Sequence, residues 1–519
     1  MEQSVISLDT DRIKEYVFAT GVLKEIQGAS GILDQLNRKE TFELIRKIDP
    51  SAQCIYANGG SGMFKVDEAK AQECIDAVKK LYSERTVTSS ITGVSKSLDD
   101  SLPFGEIFRV LSYRLRMAKD ARDVRMNPVA HPFLRTCDSC GNAYAMYQDT
   151  DDLICSACKN KRDYDKAIKK KIRAILSGHP VAEPYEIWDR LLPELVKSEA
   201  YDTKGKERPE DFNHIGEMSS PKGYMGLLYA DGDSMGDKLD KMDSDEEFRI
   251  FSETVDKAIL QAVSGAIREH LTPKKDDKYF PFDILMLGGD DLVMVTAADK
   301  AIETAMTIRD TFEELTRDYA IRTFGEPLTI SVGVAIAHAK FPFGNFLNIA
   351  EDLLKFAKKM KNKPTPGMSP ENRNKGLINF QVVNAGNSLK FSEDYKKIFT
   401  HKEDIITKTR KFVRTSRPYD TQTLKNLTEK IRNLKQDSFP RNKLQALREA
   451  VFSDYGNSIL TGLAVYNRLK KDQRKAMSDI FELFADEEHK LVWFEKEGTY
   501  HTPFLDVAEL YGFISGGER

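Results

Sequence analysis

No stretch of this 519-residue sequence stays apolar for the ~20 residues that a helix needs to cross a bilayer. The opening, MEQSVISLDTDRIKEY, carries acids where a secretory signal would have a basic and then an apolar segment. Secretion and membrane partners are therefore not expected, and a cytoplasmic location follows. Charge of one sign is not in excess either: 78 Lys and Arg stand against 81 Asp and Glu, a formal net charge of -3. A basic nucleic-acid coat is thus excluded. Any contact with nucleic acid or nucleotide must come from local clusters such as KNKRDYDKAIKKKIR (159–173) or LKFAKKMKNK (354–363). From charge alone, each cluster reads equally as a solvated helix face.

Cysteine is scarce, with six residues, and their placement is uneven. Cys54 and Cys74 stand alone and read as small core residues. The other four form two C-x-x-C corners, Cys137/Cys140 and Cys155/Cys158, separated by fourteen residues. Two thiolate pairs complete a closed tetrahedron suited to Zn²⁺, although the separation is one residue below the usual range. In a cytoplasmic chain, disulfides are the poorer explanation. A four-thiolate site has no open position, so its expected role is scaffolding.

The rest of the composition is that of a folded protein: 40% hydrophobic, 31% charged, with a mean hydropathy of -0.47. The chain is too long for one core. Four segments are expected: a first β-α unit over 1–100, a linker with the cysteines over 101–220, a second β-α unit over 221–395, and a helical bundle over 396–519. The last rests on helical spacing in TLKNLTEKIRNLKQ, KLQALREAVFSDYG and KDQRKAMSDIFELFADEE. The stretch 367–376, GMSPENRNKG, reads as a mobile loop.

The second unit runs strand GYMGLLYADGD, a long helix, hairpin FDILMLGGDDLVMV, helix, strand LTISVGVAIAHA, then a further helix. That is a β-α-β-β-α-β order, the ferredoxin-like plan in an α+β chain. The N-terminus repeats it, with strand SVISLDTD, hairpin CIYANGGSGMFKV and strand TVTSSITGV. Asp9-Thr10-Asp11 stands where the second copy has Asp231-Gly232-Asp233, and Gly59-Gly60-Ser61-Gly62 where it has Gly288-Gly289-Asp290-Asp291. One copy keeps its hairpin carboxylates and the other lacks them.

A DGD turn alone is common, and GGDD alone is compatible with a hairpin of solvated acids. This topology makes the two neighbours, bringing Asp231, Asp233, Asp290 and Asp291 to one edge. Carboxylates so placed repel, and one would normally protonate. A hard cation, Mg²⁺ or Mn²⁺, held by carboxylates together with substrate phosphate oxygens, relieves the conflict. Glycines 288 and 289 would let the backbone approach a triphosphate.

YADGDSMG and LGGDDLVMV, with ISVGVAIA and AEDLLKFAK downstream, resemble the GGDEF and palm-type polymerase/cyclase superfamily. More narrowly, the chain resembles the large polymerase/cyclase subunit of type III CRISPR effector complexes. The opening LDTDRIKEYVFATGVLKEIQGASGILDQLN, the YANGGSGMF hairpin, the four-cysteine insert and the tail HTPFLDVAELYGFI carry this. The resemblance implies two facing palms with nucleotides between them. It also implies ATP joined into cyclic oligoadenylate messengers when the complex, with its other subunits and guide RNA, holds target RNA. It assigns Asp231, Asp290 and Asp291 as metal-binding catalytic acids. Gly232, Asp233, Gly288 and Gly289 fall on the nucleotide side of the site, and Lys358 is a triphosphate clamp. Ser30, with Gly59 and Gly60, would hold the second nucleotide. Many members of the family also carry an HD nuclease domain. No His-Asp dipeptide occurs in this sequence, so DNase activity is not expected of it. Two alternatives keep their place: a palm enzyme with another product, such as a cyclic dinucleotide or a different adenylated acceptor, and a non-catalytic RNA-holding scaffold. The insert and tail favour an assembly, and the intact acids speak against a scaffold.

Overall fold

The computed structural model describes residues 2–98, 102–121, 133–179, 186–197, 201–363, 366–368, 375–383, 389–405, 408–484 and 491–515. Residues 369–374, the middle of the stretch read as a mobile loop, lie outside these. The described chain is mixed α/β.

The N-terminal unit runs β1 (Gln3–Thr10), α1 (Ile13–Val17), α2 (Leu23–Gln35), α3 (Thr41–Ile48), β2 (Gln53–Asn58), β3 (Ser61–Asp67), α4 (Ala71–Thr86) and β4 (Ile91–Ser97). Its sheet has the order β2-β3-β1-β4. The linker holds α5 (Phe104–Asp120), the ribbon β5 (Tyr147–Asp149) and β6 (Asp152–Ile154), α6 (Ser156–Leu176), α7 (Ile187–Val196) and α8 (Phe212–Glu217).

The second unit runs β7 (Tyr224–Gly232), α9 (Met235–Leu239), α10 (Asp245–His270), β8 (Phe282–Gly288), β9 (Asp291–Ala297), α11 (Ala301–Phe324), β10 (Ile330–His338), α12 (Phe343–Met360) and β11 (Ile378–Val382). Its sheet order is β11-β10-β7-β9-β8. Removing β11, which pairs parallel to β10, leaves the order of the first sheet. The long helices have local causes. Ser244 caps α10, its Oγ accepting from the Glu247 N–H at 3.2 Å, and three acids in the first turn suit the helix dipole. Helix α11 stops at Gly325, whose φ of 71° is the left-handed end that glycine adopts freely.

The C-terminal segment corrects the expectation of a bundle of helices alone. Helices α13 (Phe391–Asp394), α14 (Thr421–Gln436), α15 (Arg441–Ala450), α16 (Tyr455–Asn467), α17 (Lys471–Phe481) and α18 (Phe504–Leu510) are there. So is a four-stranded sheet of β12 (Thr400–Ile405), β13 (Lys408–Val413), β14 (Phe494–Lys496) and β15 (Thr499–His501), in the order β12-β13-β15-β14. These strands are short and polar, so they lack the apolar alternation that marks a strand in sequence. Aromatic packing holds them instead: the Phe412 ring stacks on Tyr500 at 4.9 Å and His401 at 5.0 Å, with Trp493 edge-on at 5.1 Å.

Buried charges tie the units together. Arg38, following α2, bridges Asp34 at 2.9 Å and Asp256 of α10 at 2.7 Å. Arg417 is fully buried, pairs with Asp506 at 3.0 Å and Glu509 at 2.9 Å on α18, and donates to the Phe380 carbonyl of β11 at 2.6 Å, fastening α18 to the second unit. Truncating one member of such a set strands the others, at a cost of about 3–5 kcal/mol.

Candidate active site between the two sheets

Strands β7 and β9 are antiparallel neighbours, with Tyr229 opposite Val293 and Ala230 opposite Leu292. That register brings Asp231, at the end of β7, beside Asp291, at the start of β9. Asp290 precedes it in the turn. A Cβ at Gly232 would lie 2.4 Å from Asp290 Oδ2 and 2.7 Å from Met235 Cγ, so any side chain there would displace the Asp290 carboxylate. Gly289 has a φ of 62°, which the tight turn requires. Three of the four carboxylates singled out from sequence thus meet.

Their electrostatics reflect the crowding. Burial first, then the Asp231 charge, pushes Asp290 up to about 6. Asp291 is raised well above the usual carboxylate range by burial, then by Asp231 and Asp290, with Lys14 opposing. A set of acids that resists full ionisation suits a divalent cation, and Asp231, Asp290 and Asp291 are the residues that would hold it. Lys358 of α12 ion-pairs with Asp231 and donates to the Gly232 carbonyl at 2.6 Å.

The fourth carboxylate has a different environment. Asp233 is 5% exposed and bound to β10 rather than to the other acids. It accepts from Thr329 Oγ1 at 2.7 Å and Ser331 Oγ at 2.8 Å, with Lys361 at 3.5 Å. The first unit repeats this: Asp11 accepts from Ser90 Oγ at 2.8 Å and Thr92 Oγ1 at 2.6 Å. Asp233 is therefore a strand-end clamp. Its signal in the sequence is the repeat of Ser90-Ile91-Thr92 in the first copy as Thr329-Ile330-Ser331 in the second. Lys119 repeats Lys358 as well, reaching Asp9 at 2.6 Å and the Thr10 carbonyl at 3.5 Å.

The two hairpin tips touch, and a cleft opens beside them. Ser30, Asp34, Gly59, Gly60 and Gly288 line it, together with Ile13 of α1. Gly59 and Gly60 have φ of 58° and 84°. Ser30 therefore shares one cleft with Gly59, Gly60 and Gly288, whereas Gly232, Gly289 and the three acids do not line it. Sequence reasoning missed Lys14, Tyr229 and Glu351, which also border the acids; each lies inside a quoted stretch (LDTDRIKEYVF, YADGDSMG, AEDLLKFAK), but nothing local marks it until the two sheets face each other.

The four cysteines meet too, their donor atoms all within 4.8 Å of one another. Cys137 and Cys158 Sγ are 3.8 Å apart, Cys140 and Cys155 Sγ 3.7 Å. A tetrahedron of ~2.3 Å Zn–S bonds has edges of about 3.8 Å, so the set fits zinc. Within this set, hydrogen bonds from Cys140 and Cys158 hold the Cys155 thiol low, while the Cys140 thiol is raised in turn, first by its hydrogen bond to Cys155, and the Cys158 thiol by those to Cys140 and Cys155.

Comparison with known proteins bears out the resemblance to the type III CRISPR large subunit. Residues 224–365 match the family described as Cas10/Cmr2, second palm domain. A curated relative, the CRISPR system Cmr subunit Cmr2 of Pyrococcus furiosus, is 29% identical over 198 residues, covering 34% of this chain and 22% of that protein. Among solved structures, a Csm1-Csm4 cassette in complex with pppApA matches with a TM-score of 0.59 and 15% identity, covering 99% of this chain and 70% of that one. The cassette with cA4 matches with a TM-score of 0.56 and 15% identity, covering 92% and 65%. At such identities the structures share the fold. The chain spans about a fifth of the length of Cmr2 and about two thirds of the Csm1 chains.

Proposed function

We propose that the chain is a nucleotidyltransferase that joins ATP molecules into cyclic oligoadenylate messengers within a type III CRISPR complex, when guide RNA in that complex holds target RNA. Its two sheet units are read as ferredoxin-like palms, with the cysteine insert between them and the C-terminal segment lying against neighbouring subunits in the cytoplasm. The carrying observation is the meeting of Asp231, Asp290 and Asp291, with Lys358, at the hairpin of only one of two duplicated sheets. The adenine assignment is supported by the pppApA and cA4 complexes of the Csm1-Csm4 relatives. No DNA cleavage is assigned to these residues.

In this reading the second palm activates and the first palm positions. Mg²⁺ held by the three acids would supply charge for the attacking hydroxyl and the leaving pyrophosphate. Lys358, now paired with Asp231, would turn to the triphosphate and hold it in place. Gly289 would let phosphate oxygens approach the backbone closely, while Gly288 packs against Gly59 and shapes the turn that presents it. Ser30, Gly59 and Gly60 line the cleft on the opposite side, where the second nucleotide would present its 3′-hydroxyl. Asp233 holds the end of β7, and so Asp231, in position. The cysteine set would bind one Zn²⁺ as scaffold.

The test uses the chain assembled with its neighbouring subunits and guide RNA, given matched target RNA, Mg²⁺ and ATP, with products read by mass spectrometry. Oligoadenylates that require target RNA and vanish in the Asp290→Ala/Asp291→Ala double variant support the reading. Unconsumed ATP in a complex that binds its target would leave the scaffold reading instead.

A further inference from the structure

The acids of the second palm have a neighbour from the first. Helix α1 begins directly after β1, through Arg12 in the left-handed region at φ 48°. That turn places Ile13 over the first hairpin: a Cβ on Gly60 would meet Ile13 Cδ1 at 2.0 Å. The next residue, Lys14, crosses to the second palm. Its Nζ lies 3.0 Å from Glu351 Oε1 on α12 and 4.9 Å from the centre of the Tyr229 ring on β7.

Register places this ammonium over the acid site. Side chains two apart share a strand face, so Tyr229 faces with Asp231, and Val293, opposite Tyr229, faces with Asp291. Glu351 and Lys358 are two turns apart on one side of α12, about 10 Å along its axis. The carboxylates are thus flanked by two ammonium groups, Lys358 from their own palm and Lys14 from the other. The charge of Lys14 is felt at Asp291.

We propose that Lys14, carried by the first palm, is a phosphate-binding residue of the second palm's nucleotide site. The inference rests on the nucleotidyltransferase reading and deepens it. Three observations favour a ligand role over a structural ion pair. Glu351 already has Lys355 of its own helix at 2.6 Å. The Lys14 side chain is 44% exposed, and an ion pair that open is worth about 0–1 kcal/mol, so a polyphosphate takes the ammonium over easily. The duplication is also broken at this point. Asp11-Arg12-Ile13-Lys14 corresponds to Asp233-Ser234-Met235-Gly236, with Ser234 left-handed at φ 56° like Arg12, yet Gly236 carries no side chain. The cation stands only on the copy without hairpin acids, and reaches toward the copy that has them.

The test compares the chain, assembled with its neighbouring subunits, guide RNA and matched target RNA, with the same assembly carrying Lys14→Ala, Lys14→Arg or Glu351→Gln, in binding a non-hydrolysable ATP analogue with Mg²⁺ by calorimetry, alongside thermal unfolding of each chain. Lys14→Ala is expected to weaken binding about tenfold with an unchanged melting temperature. Lys14→Arg should restore most of the affinity, and Glu351→Gln should bind at least as tightly as the parent. Equal binding by Lys14→Ala and the parent overturns the inference while the Asp290 and Asp291 reading stands. Weakened binding that follows a lowered melting temperature and is not rescued by arginine makes Lys14 a structural residue. A parent chain that binds no nucleotide overturns the functional reading and this inference together.

Discussion

Gly59 and Gly288, 229 positions apart in the two hairpins, stand in backbone contact: a Cβ on Gly288 would lie 2.5 Å from Gly59 Cα and 2.6 Å from its nitrogen. The duplicated tips are thus pressed against each other at Gly288, one residue from Gly289 and two from Asp290. Glycine is needed at 288 because of the other palm's backbone as well as for its own turn.

Gly288→Ala should therefore push the hairpins apart. The expected cost is about 1–3 kcal/mol of stability, as for other overpacked sites, with a disproportionate loss of activity because Asp290 and Asp291 move with the tip. Gly265→Ala is the control: that position in α10 has open space around it, and alanine in a helix interior is favoured by up to about 1 kcal/mol. Denaturant melts and turnover of the two variants are the measurement. A Gly288→Ala chain as stable and active as the parent would mean that the tips separate freely.

Zinc removal should loosen more than the knuckle. Cys158 lies in the first turn of α6, and the Lys161 carbonyl of that helix would be only 1.9 Å from a Cβ on Gly28 of α2. Arg162 adds a buried pair with Glu25 at 2.7 Å. Helix α2 carries Ser30 to the cleft. One zinc per chain by elemental analysis is expected. Cys137→Ser, or chelation, should lower the melting temperature and speed amide exchange over 23–35. Unchanged exchange there would show that α2 stands without the metal.

How much of this was readable in sequence follows from how local each signal is. The GGDD tip, the first-strand Asp231 and the two C-x-x-C corners are contiguous motifs, and the structure brings each set together. The duplication was legible because strand order and turn glycines repeat. What sequence hid depends on contact across the chain. Lys14 acquires its place only when the two sheets face each other, and Asp233 reads like Asp231 until Thr329 and Ser331 are seen to hold it. The polar strands β12 to β15 depend on an aromatic stack assembled from both ends of the C-terminal segment.

That sheet carries a pH dependence. Burial of His501 lowers its pKa to about 4, against about 6.5 in an unfolded chain. Between these values the unfolded state binds the proton and the folded state does not. Stability should therefore fall as pH drops from about 6.5 towards about 4 and level off below, by at most ~3 kcal/mol from this residue. His501→Gln should flatten the slope in melts taken between pH 4 and 7. A slope identical in the variant would assign the dependence to other groups.

The clamp at the strand ends separates structure from chemistry. Asp11 and Asp233 make the same pair of hydroxyl contacts, so Asp11→Ala and Asp233→Ala should cost similar stability, about 1–3 kcal/mol for stranding two buried hydroxyls. Their effects on catalysis should differ. Asp233 fixes the end of β7 two residues from Asp231, which meets the hairpin acids. Asp11 fixes the end of β1, where the facing hairpin offers Ser61 and Gly62. Asp233→Ala is expected to lower kcat at least tenfold with little change in KM, because the nucleotide contacts proposed for Lys358 and the glycines would remain while the acid triad loses its alignment. Asp11→Ala should lower the melting temperature by a similar amount with a clearly smaller effect on kcat. Asp233→Asn is informative because it keeps the shape of the clamp while removing its charge beside Lys361. Recovery of turnover in that variant would confirm a positioning role, whereas a loss as deep as in Asp290→Ala would make Asp233 a member of the reacting set.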